Sequence, residues 1–112
     1  MTLHDPELMS GSTTEMALIA IANERRDQDR RKAEGCFEFT CADSALTNAE
    51  KLTILVEEVG EVAREVLTQD GRRLARDTEG TVRALHKEVI QVAAVATAWV
   101  EALSYELAAD SR

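Results

Sequence analysis

Apolar positions recur at helical spacing along most of this chain, in three stretches separated by two breaks. In the first stretch, Met16, Leu18, Ile19 and Ile21 lead into a charged run from Glu24 to Lys32. Ser12 and Glu15 have the spacing of a capping box, which predicts a helix beginning near Thr13 and a loose tail over residues 1–11. Residues Ala33 to Leu46 contain Gly35, Cys36, Phe37, Phe39 and Asp43 and read as a loop. Thr47 and Glu50 repeat the capping spacing and open a second helix, about Asn48 to Thr68. Leu52, Leu55, Val56, Val59, Val62, Ala63 and Val66 fall on one broad face of it. Asp70, Gly71 and Gly80 break the pattern between Gln69 and Gly80, and a third helix follows over about Thr81 to Ala108. From Val89 to Val100 only Gln91 and Thr97 interrupt the apolar sequence, which predicts a helix buried on every side. The expectation is an all-α bundle of about three main helices, forming a single domain over residues 12–112.

Composition narrows this picture. A chain of 112 residues suffices for one domain, and with aromatics at 4% its core must be built from aliphatic residues and alanine. Three helices give a modest core, so the bundle is expected to be completed by oligomerisation, as a homodimer or a tetramer made from dimers. The formal charge of −8 disfavours nucleic acid as a partner. It still permits a phosphorylated small molecule, provided divalent cations bridge the two negative partners. Cys36 and Cys41, with only His4 and His86 elsewhere, make no zinc pattern and read as reduced thiols. The apolar run Met16 to Ala22 is too short to span a bilayer and no basic residue of a signal peptide's leading segment precedes it, so a cytoplasmic protein without a membrane partner is expected.

Candidate chemistry is concentrated in acidic residues. Glu57, Glu58, Glu61 and Glu65 lie within an arc of about 100° on the second helix, away from the middle of its apolar stripe. Such an arc reads either as a solvated acidic face or as a cation site. Like charges at i, i+3 and i, i+4 repel, and no basic residue intervenes before Arg64. Divalent Mg²⁺ or Mn²⁺ would remove that repulsion. On the third helix Glu88 shares a face with Leu85, Val92, Val95 and Trp99, where an ionised carboxylate needs a partner. A metal held jointly with the second helix would serve, as would an arginine, or Lys87 or His86 of a neighbouring chain. Two non-catalytic readings stand beside the metal site. One is a helical adaptor or oligomerisation module with an acidic partner-binding face, and the other a purely structural bundle subunit.

The segments Glu57-Glu58-Val59-Gly60-Glu61 and Glu88-Val89-Ile90-Gln91-Val92-Ala93-Ala94-Val95-Ala96 resemble the all-α nucleoside triphosphate pyrophosphohydrolases, the superfamily that includes the MazG-like enzymes. Its signature is ExxE on one helix and ExxD on a later one. Glu58 and Glu61 match the first half, with Glu57 completing an EExxE form, and Glu88 matches the Glu of the second. The resemblance extends over about residues 18–105, and Ile19 to Arg26 is similar to the leading helix of short phage and bacterial members. It implies cleavage of a (d)NTP to (d)NMP and pyrophosphate, with two or three Mg²⁺ or Mn²⁺ ions held by Glu58, Glu61 and Glu88. Glu57 would help activate a water for attack on the α-phosphorus. Gln91 stands where the pattern has Asp; its amide oxygen can touch a metal or its water but brings no charge. That position is expected to be weaker, or replaced by Asp77 or Glu79. Lys32, Arg72, Arg73 and Arg76 are candidate phosphate clamps, or equally loop solvation. The short relatives point to dGTP or dATP, with damaged nucleotides and dUTP as further substrates, and to base pockets shared with a neighbouring subunit.

Overall fold

In a computed structural model, the described residues are 6–72 and 78–111, with side chains described for 12–69 and 81–111; they form three helices and no strand. Helix α1 spans Pro6–Ala33, α2 Asn48–Arg72 and α3 Thr78–Asp110. The all-helical expectation holds. The first helix begins earlier than the Ser12–Glu15 spacing predicts, at Pro6, a residue that fits a first helical turn because it has no N–H to leave unpaired. Ser12 therefore lies within the helix and does not cap it. Helices α2 and α3 each run past the predicted ends.

The ends that bound the site follow local rules. At the end of α1, Gly35 takes φ +84°, the Gly35 N–H donates to the Lys32 carbonyl and the Cys36 N–H to the Arg31 carbonyl. This is a Schellman closure, which requires the left-handed conformation that glycine adopts without strain. At the start of α2 the Thr47 hydroxyl accepts from the Glu50 N–H at 3.1 Å, and the Glu50 carboxylate accepts from the Thr47 N–H at 3.0 Å. The predicted capping box is thus formed.

Helix α3 is the centre of the packing, contacting both α1 and α2. Its small residues Ala94, Ala98 and Ala102 are buried, with Val95, and allow close approach of the neighbours. Around them pack Cys41 and Ala42 of the loop, Ile54 and Leu55 of α2, and Trp99, whose indole N–H donates to the Asn48 side chain at 3.0 Å. Arg25 of α1 is 5% exposed and grips Glu101 of α3 through two hydrogen bonds, at 2.7 and 3.0 Å, while also bonding Asp29 and Gln28. The guanidinium holds the Glu101 carboxyl below its ordinary titration range.

Burial within the single chain is less complete than the apolar pattern suggests. Over the stretch expected to be buried on every side, Ile90 to Trp99 are buried or half-buried while Val89 and Val100 at its ends are exposed, as is Leu103 beyond it. On α2 the apolar stripe divides, because Lys51, Ile54, Leu55, Glu58, Val62 and Glu65 are its more buried positions, a set spaced by three and four residues. Leu52, Val56, Val59, Ala63 and Val66 form a second, equally regular row that stays exposed. The radius of gyration, 17.2 Å, exceeds the value of about 13 Å typical of a compact domain this size.

The capping box supplies a direct test of the α2 start. Thr47→Ala should lower stability by about 1 kcal/mol, read from denaturant midpoints at unchanged slope, because the Glu50 N–H loses its acceptor.

Candidate metal centre and adjoining cavity

Three carboxylates from two helices converge. Glu58 and Glu61 lie one turn apart on α2, Glu88 faces them from α3, and one oxygen of each lies within 4.8 Å of the others. Glu58 and Glu88 are half-buried, Glu61 exposed. Part of the acidic arc therefore turns inward, into the α2–α3 seam. Glu65, a further turn along α2, is half-buried too, and its charge acts on Glu88.

The electrostatics are unfavourable as they stand. Burial first, then the Glu61 and Glu88 charges, a hydrogen bond with Glu61 and the Glu57 charge push the Glu58 carboxyl above its ordinary range. Glu88 is pushed up by burial, by a hydrogen bond with Glu61 and by the Glu61 and Glu65 charges, against a smaller opposing effect of Lys87. The Oε2 atoms of Glu58 and Glu88 and Oε1 of Glu65 are buried with no hydrogen-bond partner. The arginines of α1 make their ion pairs elsewhere: Arg25 to Glu101 and Asp29, Arg30 to Asp27 and Glu34, Arg31 to Glu24 and Asp27. Glu88 thus meets carboxylates of its own chain. Buried carboxylate oxygens without donors, on groups that repel one another, suit hard divalent cations, which take oxygen ligands and cancel the repulsion. Glu58, Glu61 and Glu88 could hold such an ion.

The carboxylates border a cavity of about 350 Å³, within the usual range of about 300–1,000 Å³ for small-molecule sites. Glu58, Glu61, Gln91, Ile54 and Val95 line it from α2 and α3, and Glu24, Gln28 and Arg31 from α1. The loop contributes Phe37, Phe39, Thr40 and Cys41. This loop is held in place: the Asp43 carboxylate accepts from Lys32 Nζ at 2.5 Å and from the Thr40 N–H at 2.8 Å, and the Ala42 N–H donates to the Thr40 hydroxyl. The Cys41 thiol, 3.9 Å from the Lys51 carbonyl, is pushed up by burial.

The sequence-derived residues divide accordingly. Glu58, Glu61 and Glu88 come together, and Gln91 joins Glu58 and Glu61 on the cavity wall. Glu57 is exposed beside the group and outside it. Lys32 is bound to Asp43 and does not line the cavity. Arg73, Arg76 and Asp77, and the side chains of Arg72 and Glu79, lie outside the described residues. Glu24, Gln28 and Arg31 were not singled out by sequence, since they sit in a charged run whose pattern marks no inward face. Compared with known protein families, curated proteins and solved structures, the chain finds no match.

Carboxyls with raised titration points favour the fold at low pH. Their contribution is complete below the ordinary carboxylate range and is lost as pH rises through the raised values. Glu88→Gln should therefore stabilise the protein in chelator by about 0.5 kcal/mol or more at neutral pH, with a smaller gain in acid. With millimolar Mn²⁺ the order should reverse, the parent melting higher than the variant. Melting curves with and without metal, at two pH values, decide it.

Proposed function

We propose that the protein is a metal-dependent nucleoside triphosphate pyrophosphohydrolase, converting a (d)NTP to (d)NMP and pyrophosphate. The observation that carries this reading is the pairing of the buried, unpartnered Oε2 atoms of Glu58 and Glu88 with a ligand-sized cavity that Glu58 and Glu61 also line. The order of the acidic segments, which resembles the MazG-like enzymes, names the reaction. Bound by Glu58, Glu61 and Glu88, two or three Mg²⁺ or Mn²⁺ ions would neutralise the phosphate oxygens and make water a stronger nucleophile at neutral pH. The chain's own residues then do three things. Through those ions, Glu58, Glu61 and Glu88 would position the triphosphate beside the cavity. The exposed Glu57 carboxylate takes the proton of the attacking water as its oxygen bonds to the α-phosphorus and the bond to the leaving pyrophosphate breaks. Gln91 supports that position through its amide oxygen, without charge.

On the substrate side, purine deoxynucleotides, dGTP or dATP, are the leading candidates, as in the short relatives that the chain resembles.

Self-association belongs to the same proposal. The exposed row Leu52, Val56, Val59, Ala63 and Val66 has the alternating three-and-four spacing of a helix–helix seam. With Val89, Val100 and Leu103 also exposed, a second copy is the simplest cover, in a homodimer or a tetramer made from dimers. One segment of α3, Thr81–Asp110, is long and apolar enough to cross a membrane. Its Glu88 meets the α2 carboxylates and its Glu101 the α1 arginine, which favours the reading of a core helix in a cytoplasmic protein.

Incubation with each of the common (d)NTPs and Mn²⁺ should release pyrophosphate and monophosphate, fastest with dGTP or dATP. Orthophosphate as the product, or no product from any nucleotide, would count against the assignment and return the chain to the adaptor class. Glu57→Gln should lower turnover about 100-fold or more while leaving Mn²⁺ binding intact, and Gln91→Asp should preserve activity and tighten metal binding. Val56→Glu should shift the protein to a smaller species in sedimentation equilibrium at micromolar concentration; an unchanged mass would remove this row from the interface.

A further inference from the structure

Of the four glutamates in the α2 arc, Glu57 is exposed, Glu58 and Glu61 belong to the converging group, and Glu65 is half-buried outside that group. Glu65 stands in the more buried row of α2, one to three turns after Val62, Leu55 and Ile54. A leucine there would continue the row. Helices α2 and α3 run antiparallel in a register tied at both ends: Trp99 donates to Asn48 at the start of α2, and Gln69 donates to the Thr81 carbonyl near its end. Along α3 from Thr81 to Glu88 the covered positions are Thr81, Ala84, Leu85 and Glu88, while His86 and Lys87 are exposed. Glu65, one turn before Gln69, meets this stretch, in which Glu88 is the only covered charge. Oε1 of Glu65 and Oε2 of Glu88 are both buried with no hydrogen-bond partner, and the Glu65 charge acts on Glu88. Burying an unpaired carboxylate oxygen beside a like charge is unfavourable, and Glu61 one turn away adds to the repulsion. An aliphatic side chain would remove these costs; a cation removes them and keeps the carboxylate.

We infer that Glu65 is a further cation ligand, which with Glu88 forms a second divalent-cation position in the α2–α3 seam, beside the one at Glu58, Glu61 and Glu88. This rests on the proposed function, which reads that seam as a metal site. Glu65 lies outside the ExxE and ExxD spacing, and it is absent from the group whose oxygens converge within 4.8 Å, so it serves a separate ion and not the same one. Glu88 is common to both positions. Its two oxygens allow this, since a carboxylate can bind through each. Two carboxylates suffice for Mg²⁺ or Mn²⁺, whose shells are usually completed by water and phosphate oxygens. Gln91, one turn beyond Glu88, brings no charge, so the negative charge available to a second ion lies on the Glu65 side.

The test titrates Mn²⁺ alone into the full-length protein, without nucleotide, and reads free Mn²⁺ by electron paramagnetic resonance. Melting curves in chelator and in millimolar Mn²⁺ accompany it. The parent should bind two equivalents. Glu65→Gln should keep the first and weaken the second about tenfold or more, since loss of even an indirect partner of a metal commonly costs that much. Glu65→Asp, which keeps the charge on a shorter arm, should retain more of the second affinity than Glu65→Gln. In chelator, Glu65→Gln and Glu65→Leu should melt at or above the parent, because repulsion by Glu61 and Glu88 is relieved. In Mn²⁺ both should melt below it. A single equivalent in the parent, or two at unchanged affinity in Glu65→Gln, overturns the second position. So does a Glu65→Gln variant that melts well below the parent in chelator, which would mean that a cation of the chain itself holds Glu65. In each of these cases, cleavage of a (d)NTP by the parent upholds the proposed function. A parent that binds no Mn²⁺ overturns both.

Discussion

The seam between α2 and α3 is organised around charges that repel. Glu58, Glu61 and Glu88 bring carboxylate oxygens within 4.8 Å of one another, one oxygen each of Glu58 and Glu88 is shut off from water, and Glu65 adds a further buried oxygen. A helix pair held only by packing would place valine or leucine at these positions, and α2 has such residues available one face away. Instead the more buried row carries Glu58 and Glu65, while Val56, Val59 and Val66 are turned outward. The chain thus gives up apolar burial in its own seam and accepts repulsion there. Burial and like charge push Glu58 and Glu88 above the ordinary carboxylate range, so the metal-free seam is eased by protons. Divalent cations would satisfy the same atoms at neutral pH, where protons are too dilute.

The same choice shapes the rest of the molecule. With carboxylates in the α2–α3 seam, the buried apolar set among the described residues is Cys41, Val95 and three alanines, a small core. Polar devices carry much of the remaining cohesion. Arg25 joins α1 to α3 through Glu101, and Asp43 fastens the loop to α1 through Lys32. The outward apolar row of α2 then complements the small core, because a second copy covering it would supply burial that one chain lacks.

Much of the architecture was legible in sequence because it rests on local chemistry. The Thr47–Glu50 box marked the start of α2 to the residue, and the three helices followed from apolar periodicity. Ser12 and Glu15 show the limit of the same signal: the spacing is present, but Pro6 already starts the helix and removes the need for a cap. Burial was less legible than secondary structure. Apolar period on α2 located a stripe correctly but not its partner, since one chain cannot reveal whether valines face their own bundle or another. On α3 the apolar run was read as burial on every side, whereas Ala94, Val95 and Ala98 are buried, the rest of 90–99 is half-buried and the ends Val89 and Val100 are exposed. Glu58, Glu61 and Glu88 were legible because the acidic spacing on two helices is unusual. Arg31 and Gln28 were not, because a charged run such as Glu24 to Lys32 has no contrast between faces, and the loop's path alone brings Phe37 over Arg31.

That loop path settles how the cavity is divided. Helices α2 and α3 line the cavity with Ile54, Glu58, Glu61, Gln91 and Val95, so its aromatic and cationic side chains come from α1 and the segment after it. Gly35 reverses the chain immediately after Arg31 and Lys32 have left the last turn of α1. The reversal assigns the two neighbouring cations opposite duties. Lys32 is consumed by Asp43 and fixes the loop, while Arg31 remains at the cavity with a buried, unpartnered Nε–H. A phosphate clamp at Lys32 would compete with the ion pair that holds Phe37 and Phe39 in place. The more economical arrangement leaves Lys32 to the loop and Arg31, held by Glu24 and Asp27, to the cavity wall.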